Sequence, residues 1–286
     1  MKIVHYKKTP LAYAPDWLSM AINKYSEHES SVVTYPKQLP KPAKDTVVHF
    51  HNRFVPYAGP CLIQYHSEPD EPNLMHPKDH PTAPERRLVV AHYHPTLPEY
   101  KDMHPVRNVV DFRRPQFAYT PVRKFKVGYS PSVTRRISRW YDKGYEKTVQ
   151  ILQRVAKEVP EMEVDIIAGV CLDECLRRKR DCSVLIDECV TGSYHRSGLE
   201  GLALGKVTIA GMDAAVVDVF QNVSGSVLIP FTICGIDYLC NKLIRLSKDI
   251  DALRERGLHN RQWFENFWAP EQIVAEYVEH YKEVLA

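Results

Sequence analysis

"CSVLIDECVTGSYHRSGLEGLALGKVTIAG", residues 182–211, carries the fold in miniature. Its first seven residues make an apolar, partly β-branched run that ends on the acidic pair Asp187–Glu188, and Val207–Gly211 form a second such run. Between them a glycine-containing turn opens onto a short helix. Ser197 reads as its N-cap, Glu200 as the capping-box partner three residues on, and Gly205 as the C-terminal stop. Strand, turn, helix and strand in this order predict a parallel βαβ crossover.

The same grammar extends upstream. A strand at 125–130 precedes a helix at 144–158, a strand at 164–169 and a helix at 171–179. Residues 125–269 are therefore expected to form a Rossmann-like domain, which binds ligand at the carboxyl ends of its strands. The Gly192–Ser197 turn lies on that edge, where helix N-terminal amides favour phosphate. Glu200, one turn inside the helix, is placed to meet a ribose hydroxyl pair beside it. The first half is strand-rich and proline-rich: β-branched runs at 2–7, 31–35, 46–51, 61–66, 87–93 and 106–112 predict strands. A helix is expected over 15–25, with Pro15 in its first turn, and a polar loop over 67–85. This gives a reduced α/β domain at 1–112, with 113–124 as a linker.

Composition narrows the function classes. With 286 residues, 44% of them apolar, the chain is long enough for two cores. Thirty-eight basic against 35 acidic residues give no overall field for nucleic acid, although 134–139 and 177–180 are locally basic. No apolar run reaches membrane-spanning length and no secretory leader is visible, so the reading is cytoplasmic. An odd seven cysteines favour reduced thiols, and the spacing of Cys171, Cys175, Cys182 and Cys189 is not a zinc pattern. The HFH (49–51) and HYH (92–94) pairs could chelate from one strand face, but no Asp or Glu stands at a companion position. They are read as pocket or surface residues, with no metal expected.

Four segments resemble the GT-B glycosyltransferases, in particular the large retaining, family-four-like group that includes sucrose synthase and many bacterial cell-surface enzymes. They are "YSPS…KGYEKTVQIL" (129–152), "IDECVTGSYHRSGLEGLALGKVTIAG" (186–211), "VRNVVDF" (106–112) and "RQWFENFWAPEQIVAEYVEHY" (261–281). The resemblance covers most of 106–286. It implies two Rossmann-like domains facing across a cleft, with a helix at 270–286 packing back onto the first. It also implies that Glu200 binds the nucleotide ribose, that the amides of Ser197 and Gly198 hold the diphosphate, that Ser132 belongs to the donor nucleotide site, and that Lys143 and Arg136 neutralise the diphosphate. His66, at a strand end, matches a histidine that contacts the sugar or phosphate. Gly192 departs from the pattern: it stands where the family carries its first motif glutamate.

The expected activity is sugar transfer from a nucleoside-diphosphate sugar, metal-independent and retaining, with no cofactor beyond that co-substrate and with an acceptor the sequence does not name. Two alternatives stay open: a non-catalytic nucleotide- or glycan-binding relative, and a transferase acting on modified nucleic-acid bases. If Glu200 is the ribose acceptor, Glu200→Gln is expected to weaken nucleotide binding while leaving stability nearly unchanged, because glutamine also serves in a capping box.

Overall fold

A computed structural model describes residues 1–8, 13–69, 84–131 and 143–286. The chain divides into two compact units, Met1–Asp111 with Ala269–Ala286, and Phe112–Trp268.

The first unit begins β1 (Lys2–Lys7), α1 (Ala14–Tyr25), β2 (Glu29–Thr34), β3 (Thr46–His51), β4 (Cys61–Tyr65), β5 (Arg87–Val90) and β6 (His104–Val106). These strands form one parallel sheet in the order β2-β1-β3-β4-β5-β6. Every residue of β3 is buried, as a central parallel strand covered on both faces requires. One face carries Tyr6, Val48, Phe50, Ile63 and Tyr65 in an apolar cluster.

The run 106–112 is not the strand its composition predicts; pairing stops at Val106. Its polar side chains dock on neighbouring helices instead. Asp111 accepts from the Tyr25 hydroxyl at 2.7 Å and from Lys24 at 2.9 Å, and Arg107 pairs with Glu276.

The second unit runs β7 (Lys126–Tyr129), α2 (Tyr145–Glu158), β8 (Glu163–Ile166), α3 (Leu172–Arg180), β9 (Val184–Glu188), α4 (Arg196–Ala203), β10 (Val207–Ala210), α5 (Ala214–Ser224), β11 (Thr232–Ile233), α6 (Leu239–Leu246) and α7 (Ile250–Phe267). Its parallel sheet is ordered β11-β10-β9-β7-β8. The order reverses between β7 and β9, and at such a switch point the loops leaving the carboxyl ends diverge and leave room for a ligand. Val127, Val184, Ile186, Val207 and Ile209 fill the core between sheet and helices.

The segment 113–124, expected as a linker, is part of this unit's body. Phe117 is buried, the Thr120 carbonyl accepts from Lys206 at 2.9 Å, and the Phe117 carbonyl accepts from Arg261 at 3.0 Å. Its prolines and aromatics give a packed, irregular strip rather than a free tether.

The last helix, α8 (Pro270–Leu285), belongs to the first unit. It buries Ile273, Val274, Tyr277, Val278 and Tyr281, the apolar stripe written at helical spacing, against α1, β3 and β4. Among the described residues no helix is long and apolar enough to cross a membrane.

Candidate functional site

The site in the second unit is built at the carboxyl end of β9. Asp187 and Glu188 close that strand and both are buried. Glu188 staples the following loop: its carboxylate accepts from the amides of Val190 (2.6 Å), Thr191 (2.7 Å) and Ser193 (3.2 Å) and from the Thr191 hydroxyl (2.7 Å). Asp187 accepts the His195 amide at 2.6 Å, just ahead of α4. Burial pushes the Asp187 carboxyl up, but the bond from His195 and the charge of Lys143 outweigh it and hold the group below the usual carboxylate range.

The capping-box reading of α4 is corrected. The N-cap is His195, not Ser197, and its side chain makes no capping bond. Glu200 does not reach back to the helix start. It is 5% exposed, and its Oε2 accepts from the Lys179 ammonium at 2.7 Å while its Oε1 lies 3.4 Å from Arg196 Nε. Lys179 also donates to the Ser197 hydroxyl at 2.8 Å. The Gly198 amide, expected to hold diphosphate, donates to the His195 carbonyl at 3.0 Å. A side chain at 198 would meet the Asp187 carboxylate at 2.8 Å, so the residue serves close packing. The helix ends as read, with Gly205 at φ 68° just beyond it.

Lys143 precedes α2 with φ 48°, and Gly144 packs against Val190 of the stapled loop. Burial holds the Lys143 ammonium below the ordinary lysine value, while Asp187 and Glu188 pull it back. The structure thus brings Lys143, Ser197, Gly198 and Glu200 to one end of one sheet. Ser132 and Arg136, with Arg135 and Arg139, lie outside the described residues. Lys179 and Arg196 both lie on Glu200, while Lys143 feels the charges of Asp187 and Glu188.

Gly192 sits where only a glycine is comfortable. Its φ is 78°, in the left-handed region, and a Cβ there would run into the Asp213 carboxylate. Gly192→Glu is expected to cost about 1–3 kcal/mol in a thermal unfolding series. A variant melting with the parent would show that Asp213 and the turn simply move aside.

In the first unit His66 lies just past β4, half-buried, with its Nε2 2.9 Å from His51 Nδ1. His51 Nε2 is in turn 3.0 Å from His5 Nδ1, and His49 Nδ1 is 2.9 Å from the Tyr281 hydroxyl. In the parallel register His5 faces His49 and Lys7 faces His51, so one sheet face carries a row of imidazoles, which α8 covers. The HFH pair is therefore interior, not surface: parallel pairing buries both faces of β3. Ligand atoms of His5, His49 and His51 lie within 4.8 Å of one another, close enough to suit a metal ion. Binding one through His51 would break a ring-to-ring hydrogen bond, because both of its nitrogens are engaged. His92 and His94 are likewise buried.

Sequence reasoning missed Lys179, Asp187, Glu188 and Asp213. Lys179 was hidden inside the RRKR run, although it follows Leu176 by one helical turn on the inward stripe of α3.

No known protein-family model matches the sequence, and no curated protein does. Solved structures do. A glycosyltransferase from Rickettsia africae ESF-5 is 13% identical, with 99% of this chain and 98% of that one covered and a TM-score of 0.64. HepE from Anabaena, in complex with UDP, is 12% identical over 99% of this chain and 100% of its own, TM-score 0.57. Sucrose-phosphate synthase from Thermosynechococcus elongatus is 11% identical over 99% of each chain, TM-score 0.57. At these identities the likeness is one of architecture: the chain has the α/β fold with two parallel sheets of the GT-B glycosyltransferases.

Proposed function

We propose that the protein is a glycosyltransferase of the family-four-like group, taking its sugar from a nucleoside-diphosphate sugar bound by the second unit. The observation that carries this reading is Glu200: an acidic side chain one turn into α4, at the carboxyl edge of β9 beside the strand-order reversal, held by a buried lysine. A carboxylate there can accept both hydroxyls of a ribose. The UDP held by the HepE structure supports the same assignment.

Breaking the sugar–phosphate bond leaves an added negative charge on the departing diphosphate, and fixed cations and amides aimed there lower the barrier. That role is assigned to Lys143 and to Arg136 with its arginine neighbours. This is a metal-independent way to stabilise the leaving group. His66 is assigned to the transferred group.

The test is incubation with UDP- and GDP-sugars, with detection of released nucleoside diphosphate, alongside thermal unfolding with each free diphosphate. One diphosphate should raise the unfolding temperature, and saturation at about a hundredfold over its Kd corresponds to about 2.7 kcal/mol. His66→Ala should lower turnover with little change in that stabilisation, because only the transition state feels the lost contact fully. Gly192 favours a second reading, a non-catalytic nucleotide-binding relative; stabilisation without any diphosphate release would select it. If no diphosphate stabilises the protein, both readings fall.

A further inference from the structure

Lys179 is the one base of the run 177–180 that turns fully inward. Arg177 pairs at the surface with Glu174, and Arg178 pairs with Asp165. Lys179 is 2% exposed, and its ammonium spans two residues of α4, Glu200 at 2.7 Å and Ser197 at 2.8 Å. Burial alone would lower its proton affinity, but the Glu200 carboxylate outweighs burial and keeps it above the ordinary lysine value.

A lysine so placed is costly unless its geometry is used, since a buried pair seldom stabilises more than an apolar pair of the same volume. Its geometry fixes one oxygen of Glu200. With Oε2 committed to Lys179, the carboxylate cannot rotate freely about its last bond, and its remaining acceptor directions are set. Arg196 lies at the edge of the other oxygen and is less buried. The inward lysine therefore orients the acidic group, and the bond to Ser197 ties that orientation to the first turn of the same helix.

We propose that Lys179 is a positioning residue for nucleotide recognition: it holds the Glu200 carboxylate aimed so that it reads the ribose hydroxyls of the donor. This rests on the donor-site reading of Glu200. Lys179 itself does not touch the nucleotide in this scheme; it acts through Glu200.

The experiment compares affinity for UDP and GDP with that for their 2′-deoxy counterparts, by calorimetric titration of the full chain. The parent should prefer the ribonucleotide by roughly tenfold or more, the scale of one hydrogen bond to a charged group. Glu200→Gln should collapse that preference, and Lys179→Met should collapse it to the same extent. A lysine that only stabilises the fold would instead lower the unfolding temperature and leave the ratio intact, which overturns the proposal while Glu200→Gln still upholds the donor site.

Lys179→Met leaves a buried carboxylate short of its partner and can fail to fold. The double variant Lys179→Met/Glu200→Gln removes both charges and avoids that penalty. Its ribose preference should equal that of Glu200→Gln alone. A further loss in the double variant would mean that Lys179 acts by another route, and overturns the proposal. A parent that binds no diphosphate overturns the donor-site reading, and this one with it.

Discussion

Between pH 6.5 and about 4.5 the protein is expected to lose on the order of several kcal/mol of unfolding free energy, with its first unit the cause. Burial is the chief reason, and the charges that the neighbouring imidazoles and Lys7 would present add to it. His5 is pushed down to about 3 and His66, by burial alone, to about 4, while His49 and His51 are held well below the ordinary histidine value. His280, part-buried beside Arg86, is also lowered to about 4. Well above pH 6.5 these rings are neutral in both folded and unfolded chains. As the pH falls, the unfolded chain takes up protons that the folded one refuses, so stability drops until the folded values are reached. Asp165, Asp187 and the exposed Glu174 have lowered folded values and also cost stability in acid, a loss that begins near pH 5 and falls mostly below about pH 4. The window above about pH 5 is thus dominated by the histidines. Urea unfolding midpoints measured at half-unit pH steps would show the decline, and His49→Gln should flatten it. A level profile from 7 to 4.5 would mean that the imidazole row is hydrated or already protonated.

Glu200→Gln is expected to weaken binding of the preferred nucleoside diphosphate by roughly ten- to a hundredfold, the worth of a charge-assisted hydrogen bond pair. The capping-box reading predicts a nearly unchanged melting point for this variant, and the structure reverses that expectation. Glutamine leaves the Lys179 ammonium buried without its counter-charge. Breaking such a pair costs about 3–5 kcal/mol when one partner is truncated. A glutamine amide that still accepts from Lys179 would recover part of this. Binding and stability should therefore fall together, and they are separated by titrating well below the melting temperature. Equal affinities of parent and variant for both UDP and GDP would remove Glu200 from the donor site.

How much of this could be read in advance depends on the range of the interactions involved. Strands buried on both faces and helices with one apolar stripe announce themselves locally, so the βαβ succession and the inward face of α8 were legible. The end of pairing at Val106 was not, because the next residues are as β-branched as a strand, and only the docking of Arg107 and Asp111 on helices decides against one. Likewise Ser197 and Glu200 have the spacing of a capping box. What defeats it is Lys179, contributed by another helix 21 residues upstream. His5 could not be joined to His49 and His51 from spacing alone, since their meeting is a matter of strand register between β1 and β3. The Glu at Glu200 was visible as a candidate, but the reason for its orientation was not.

The membership of α8 in the first unit has a consequence for synthesis. Ribosomes deliver the chain from its amino end, so β1 to β6 emerge long before Tyr277 and Tyr281, which close over the imidazole row. The sheet must wait with that face uncovered while Phe112–Trp268, a contiguous stretch that forms a compact unit, is made. The amino-terminal half is thus begun first and completed last. During that interval its histidines meet water and whatever else the cell offers, and a stalled or clipped product lacking residues 269–286 would carry one finished unit and one open sheet.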